Sequence, residues 1–311
     1  PMSLRPQAHD IITFWLFNTV VKNQLHYKKN PWKDIIISGF VLDPHRKKMS
    51  KSKGNVIEPQ SVIEKYSADA LRYWASSSKL GEDLSYQEKD IITGKKFVNK
   101  ILNSSNFVFM NLKDYKPKKT KLMEMDRLFL SKLNETIGKC TKNFENYEYF
   151  KSKLESDNFF WKIFCDNYLE IVKKRVYNGN KKEKESAFYA LYNSLLTILK
   201  LFAPITPFIT EEIYQKHYRK NQKVKSIHVS SWPEKINLKK GKKDSDIFNL
   251  MIDTIGKVRH EKSLAKKPMN SEIILTLEKK DQEKLKEVIK DLKDVTNAKE
   301  IKTGKLKVEF V

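Results

Sequence analysis

Apolar residues recur at helical spacing along most of this chain. Phe97, Val98, Ile101 and Leu102, then Phe107, Val108 and Leu112, follow the i, i+3/i+4 rhythm of a stripe buried along a helix. A lysine-dense linker, Lys116-Pro117-Lys118-Lys119, separates them from Leu128, Leu130, Leu133 and Ile137, which open a second stripe. Two further helices are predicted at about 158–176 and 186–202. Pro204 and Pro207 punctuate before another at 208–218, with Thr210 as its candidate cap and Glu211 and Glu212 suited to an N-terminal turn. Four or five amphipathic helices with short connections predict a helical bundle.

The two ends of the chain read differently. Ile35-Ile36-Ile37-Ser38-Gly39-Phe40 is a short apolar run rich in β-branched residues, hence a buried strand, and a helix at about 10–23 precedes it. A strand fed by a crossover helix implies a parallel sheet, and one strand cannot form one, so its partners are expected from outside this chain. Short helices follow at 61–65 and 68–76, the second capped by Ser67. Near the other end, a connector over 223–243 holds an extended piece at 226–231 and the lysines 239, 240, 242 and 243. A helix at 246–263, a strand at 272–277, a helix at 281–292 and strands at 299–302 and 305–310 then form a small α/β appendage.

Charge changes the picture. The 311 residues carry 61 basic and 38 acidic side chains, a formal charge of +23, and a chain this basic is expected to meet a polyanion, nucleic acid first. Cys140 and Cys165 are far apart, so neither a disulfide framework nor a zinc site is indicated, and a reducing, cytoplasmic setting is the default. No run reaches the ~18 apolar residues that a membrane span needs. Pro1 in place of an initiator methionine suggests a piece of something longer.

The candidate chemistry lies just after the first strand, in Lys47-Lys48-Met49-Ser50-Lys51-Ser52-Lys53-Gly54-Asn55. A lysine-rich loop after a strand suits phosphate, because mobile ammonium groups follow charge as it shifts between oxygens. The word KMSKS followed by Gly-Asn-Val-Ile-Glu-Pro resembles the signature loop of class I aminoacyl-tRNA synthetases. Asp43-Pro44, Val62-Ile63-Glu64-Lys65-Tyr66, Ala68-Asp69-Ala70-Leu71-Arg72 and Ser78-Lys79-Leu80-Gly81-Glu82-Asp83 extend the resemblance to the valyl enzymes, closest to their archaeal-type form. Phe159-Phe160-Trp161, Phe164-Cys165-Asp166, Tyr168-Leu169-Glu170 and the run from Ala203 to Glu212 are similar to the anticodon-binding bundle of the valyl, isoleucyl and leucyl group.

The resemblance implies a mainly α chain: the C-terminal portion of a Rossmann-type α/β nucleotide fold with the KMSKS loop over 1–56, connective helices over 57–95, the anticodon-binding bundle over 96–222, a basic linker over 223–243 and a small α/β domain over 244–311. It implies ATP with Mg2+ as substrate, valine and tRNA(Val) as partners, and no zinc. Lys51 would stabilise the charge that builds on departing pyrophosphate, with Lys48 in support, and Ser50 and Ser52 would add donors. Asp10, in Gln7-Ala8-His9-Asp10, would accept from the ATP ribose, although Ala8 stands where relatives carry glycine; as a residue alone, Asp10 is a good N-terminal helix residue. Trp15 matches an aromatic that walls the amino-acid pocket, or is a core tryptophan. Ser38 and Gly39 would lie beside adenine. Arg127, Lys173, Lys174, Arg175 and Tyr177 are candidate tRNA contacts. His-x-Gly-His, which in the family faces the lysine loop, occurs nowhere in the chain, nor does the inserted editing domain. An N-terminal half is therefore the expected partner, with tRNA binding but no valine activation by the chain alone. The isoleucyl enzyme and a non-catalytic tRNA-binding protein are the alternatives.

Overall fold

The computed structural model describes residues 2–113, 115–239, 241 and 243–311. Lys240 and Lys242, two of the four lysines closing the basic linker, lie outside the described residues. The chain divides into two compact units. One is built from residues up to Asn103 with Cys140–Leu154 and Phe202–Glu212; the other comprises Ser104–Lys139, Glu155–Leu201 and Ile213–Val311.

The first unit opens with strand β1 (Met2–Ala8), a 3-10 turn at His9–Ile11, a π turn at Ile12–Leu16, helix α1 (Phe17–Tyr27) and strand β2 (Trp32–Ser38). β1 and β2 pair in parallel, from Met2 opposite Trp32 to Ala8 opposite Ser38. The expectation that β2 would find no partner within the chain is thus corrected, because β1 supplies one. Met-Ser-Leu-Arg-Pro-Gln-Ala alternates apolar and polar residues but contains Pro6, which removes a ladder donor and suits a strand paired on one side. α1 begins seven residues later than predicted and ends where Lys28 turns left-handed at φ 54°. Strand β3 (Val41–Leu42), helices α2 (Pro59–Tyr66) and α3 (Ala68–Ala75) and strand β4 (Leu84–Ser85) follow, with β3 and β4 parallel.

Val62, Ala70, Trp74 and Ile91 form a buried cluster under Ile57, Tyr66, Leu71, Leu84 and Tyr86. Ser67 caps α3, its hydroxyl accepting from the Ala70 N–H at 3.3 Å. Gly94 lets helix α4 (Glu88–Asn111) approach α3 closely: a Cβ there would meet the Ala70 carbonyl oxygen at 2.5 Å. The buried Asp69 carboxylate accepts from the backbone N–H groups of Phe208 (3.2 Å) and Ile209 (2.7 Å), at the start of the helix over Pro207–His217. Asp69 therefore does the capping expected of Thr210, whose hydroxyl donates back to the Thr206 carbonyl.

Onward from α4 the chain is helical: α5 (Glu124–Glu145), α6 (Tyr149–Asn158), a π segment at Phe159–Tyr168, α7 (Leu169–Asn178), α8 (Lys181–Phe202), α9 (Pro207–His217) and α10 (Arg219–Gln222). The predicted stripe over 128–137 is buried at all four positions. In the second unit, Phe129 lies face to face with Tyr168 at 3.5 Å, with Phe159 and Phe164 around it. The piece expected to be extended at 226–231 holds instead a 3-10 turn at Ile227–Val229, because the Ser226 hydroxyl captures the His228 N–H. Helix α11 (Asp244–Leu264), strand β5 (Ile273–Leu277), helices α12 (Lys279–Leu285) and α13 (Ile289–Thr296) and strands β6 (Ala298–Thr303) and β7 (Lys307–Phe310) close the chain. The sheet order is β6-β5-β7, with β6 parallel and β7 antiparallel to β5.

Candidate functional site

The lysine loop leaves β3 and is closed by short-range hydrogen bonds. Leu42 bridges antiparallel to Lys48, and the Asp43 N–H donates to the Lys47 carbonyl at 2.9 Å. Asp43 Oδ1 accepts from the N–H groups of His45 (2.9 Å) and Lys47 (2.8 Å), and its Oδ2 accepts from Asn55 Nδ2 (2.9 Å). Asn55 Oδ1 in turn accepts from the Ser50 N–H at 3.0 Å, and Asn55 Nδ2 also reaches the Lys48 carbonyl at 3.3 Å. The Asn55 amide, then the Lys47 N–H, hold the Asp43 carboxyl below its ordinary range.

Lys51–Lys53 form a 3-10 turn that ends at Gly54, whose φ of 65° favours glycine and turns Asn55 back into the loop. Ser50 and Ser52 hydroxyls lie 3.2 Å apart. Lys51 is exposed, and among the described residues it makes no ion pair. Lys48 Nζ lies 4.0 Å over the Phe40 ring and 3.7 Å from Asp10 Oδ2, and Phe40 packs on His9 at 4.4 Å. The structure thus joins the end of β1 to the lysine loop. Asp10 caps nothing; it sits in the 3-10 turn facing Lys48.

Ser38 donates to the Gln7 carbonyl. Gly39 is demanded by its neighbour, since a Cβ would stand 2.2 Å from the Glu82 carbonyl oxygen. The Leu80–Asp83 turn is fastened there by Gly81 N–H to the Ile37 carbonyl (2.9 Å) and by Phe40 N–H to Asp83 Oδ1 (2.7 Å). Trp15 is no core residue: it is 37% exposed, stacked on Trp32 at 5.6 Å with the Arg5 guanidinium 4.1 Å over its ring.

In the second unit the five candidate tRNA contacts separate. Arg175 is 3% exposed and clamped by the buried Asp126, with two bonds of 2.7 Å; Asp291 Oδ1 lies 2.7 Å from its Nε. Asp126 also accepts from the hydroxyls of Tyr168 (2.6 Å) and Ser186. A guanidinium enclosed this way cannot reach an RNA, and Arg175 is a core fastener instead. Burial pushes the Asp291 carboxyl up to about 6 despite Arg175 beside it. Arg127 is likewise engaged by Glu124 and Asp244, which raise its pKa. Lys173 and Lys174 stand on the surface of α7 in open pairs with Glu170 and Asp294, and Tyr177 is 54% exposed.

Sequence reasoning gave no role to Asp43, Asn55, Asp126 or Asp291. The first two lie inside the loop's motif, so their types were visible; the last two carry no motif.

Two family models match the chain: tRNA synthetases class I (I, L, M and V) over residues 1–87, and the anticodon-binding domain of tRNA ligase over 126–275. A loop of KMSKS sequence joined to a short parallel pair, followed by that helical domain, places the chain in a class: it belongs to the class I aminoacyl-tRNA synthetases. Within that class it is similar over nearly its whole length to valine–tRNA ligases. That of Rickettsia felis is 42% identical over 97% of this chain and 36% of the relative, and that of Picrophilus torridus 39% identical over 99% and 40%. The chain spans about 40% of the length of the curated relatives it matches. Among solved structures, the agnB2 LeuRS of Agrobacterium radiobacter K84, in a ternary complex with tRNA and LeuAMS, shares the fold at a TM-score of 0.58 and 20% identity, over 75% of this chain and 28% of that one.

Proposed function

We propose that this chain is the part of a valine–tRNA ligase that carries the pyrophosphate-facing lysine loop and the tRNA-binding bundle. The observation that carries the reading is the KMSKS loop held against Asp10 at the end of β1. In valine activation a carboxylate attacks the α-phosphate of ATP and pyrophosphate leaves. Charge grows on the leaving oxygens, so a cation placed there favours the transition state over the ground state. Lys51, exposed at the tip of the loop, takes that role; Lys48 supports it; and Ser50 and Ser52 supply further donors. Asp10 accepts from the ribose, Ser38 and Gly39 flank the adenine, and Trp15 borders the valine pocket. ATP enters with Mg2+, which offsets phosphate charge.

The β1-α1-β2 crossover supports reading residues 1–56 as part of a Rossmann-type nucleotide fold, to which a segment carrying His-x-Gly-His contributes the opposite face of the site. Exposed Phe14, Phe17 and Leu25 on the crossover are consistent with a covering segment. Residues 57–95 act as connective helices, 96–222 as the anticodon-binding bundle, 223–243 as a basic linker and 244–311 as a small α/β domain. Lys173, Lys174 and Tyr177 are the surface candidates for tRNA(Val), while Arg127 and Arg175 are engaged within the fold. No described helix is long and apolar enough to cross a membrane.

The test uses the purified chain with tRNA(Val) transcript, valine and ATP. Expected are tRNA binding that weakens steeply with salt and no valine-dependent ATP–pyrophosphate exchange. Robust exchange by the chain alone, or no tRNA binding at low salt, overturns the reading.

A further inference from the structure

Four lysines fall within the loop, Lys47, Lys48, Lys51 and Lys53, and their mutual repulsion opposes one fixed loop conformation. Two short polar side chains at its ends counter this. Asp43 offers only acceptors and is met only by donors: His45 N–H, Lys47 N–H and Asn55 Nδ2. Asn55 faces it with a donor and turns its own acceptor to the Ser50 N–H, one residue before Lys51. The Asn55 amide also touches the Lys48 carbonyl, so one side chain fixes the backbone at Lys48 and at the residue before Lys51. None of these bonds uses a lysine ammonium. The backbone is pinned while the charged ends remain able to turn to phosphate.

We propose that Asp43 and Asn55 are a positioning latch that sets the register of the lysine loop and so delivers Lys51 to the departing pyrophosphate; this rests on the role given to Lys51 above. The geometry makes the pair directional. Asn55→Asp would set a second carboxylate against Asp43 Oδ2. Asp43→Asn presents acceptor or donor to Asn55 only by giving up a backbone N–H or clashing amide against amide. The double exchange Asp43→Asn with Asn55→Asp restores a donor facing an acceptor, keeps the acceptors for His45, Lys47 and Ser50, and leaves the net charge unchanged. Its one cost is at the Lys48 carbonyl, where the long contact from Asn55 Nδ2 is replaced by an acceptor facing an acceptor.

The experiment uses a full-length valine–tRNA ligase in which this chain replaces the corresponding segment of its Rickettsia felis relative. Valine-dependent ATP–pyrophosphate exchange, the KM for valine, tRNA affinity and thermal unfolding are measured for both single variants, the double exchange and Lys51→Ala. Each single variant is expected to lose kcat by about tenfold or more, with the KM for valine and tRNA affinity unchanged. The double exchange is expected to return to within about threefold of the parent, a coupling that independent sites do not show. A double exchange as slow as the slower single variant overturns the latch, as do single variants of parental speed alongside a slow Lys51→Ala. Loss of kcat in step with unfolding temperature and tRNA affinity also overturns it, since that marks a purely structural pair. Lys51→Ala at parental speed removes the reading of Lys51 itself, and the latch with it.

Discussion

Arg175→Met separates an RNA contact from a core fastener. The guanidinium ties the start of α5, through Asp126, to α13, through Asp291, with Tyr168 and Ser186 completing the shell around Asp126. Methionine fills similar volume but leaves two carboxylates facing each other where one is 0% and the other 5% exposed. Removing one partner of a buried ion pair costs about 3–5 kcal/mol. For a unit of this size that corresponds to a fall in unfolding temperature of roughly 6–20 °C. The sign of the pH dependence follows from Asp291, whose folded pKa of about 6 lies above the ordinary 3.8. The folded state binds more protons between those values, so this group favours folding below pH 4 and its contribution is lost as pH rises through 6, by about 3 kcal/mol. Without Arg175 the carboxyl is raised further, so the deficit of the variant should be largest at pH 8 and narrow towards pH 5.5. Asp291→Asn should flatten the same slope. The assay is thermal unfolding followed by circular dichroism across pH, with tRNA affinity measured in parallel. A variant that melts within ~2 °C of the parent at pH 8 yet binds tRNA poorly would refute the assignment.

Two further outcomes are expected. Asp69→Ala removes the acceptor for the Phe208 and Ile209 N–H groups and should cost about 1–2 kcal/mol, read as faster amide exchange at those two positions; unchanged exchange there would deny the cap. Lys173→Ala with Lys174→Ala should weaken tRNA binding and lower the slope of log affinity against log salt by about 1.4 to 1.8 if each meets one phosphate; an unchanged slope would exclude both lysines from the interface.

The helices over 97–112 and 128–137 were legible because their buried faces repeat with the period of the backbone. β1 was not, although Ser3, Arg5 and Gln7 alternate with Met2, Leu4 and Ala8, since Pro6 interrupts the run and its pairing depends on β2, some thirty residues away. The π segment at Phe159–Tyr168 escaped because its exposed Lys162 and Asp166 stand four residues apart, as on an ordinary α-helix, and so coarse a spacing does not distinguish π from α winding. The lysine loop was legible as a word. Its latch was not, because nothing in a Gly-Asn pair states that the amide folds back across twelve residues to Asp43. Arg175 was misplaced for a related reason. Beside Lys173 and Lys174 it looks like one basic face, yet helical rotation turns Arg175 inward, and its acids come from sequence-distant elements.

The account turns on Lys51. In the full-length chimera, Lys51→Ala should slow valine-dependent ATP–pyrophosphate exchange by about 100-fold or more, as expected when a group stabilising transition-state charge is removed. Its tRNA affinity should stay within about twofold of the parent. Equal losses in exchange and tRNA binding, or exchange at the parental rate, would contradict the account.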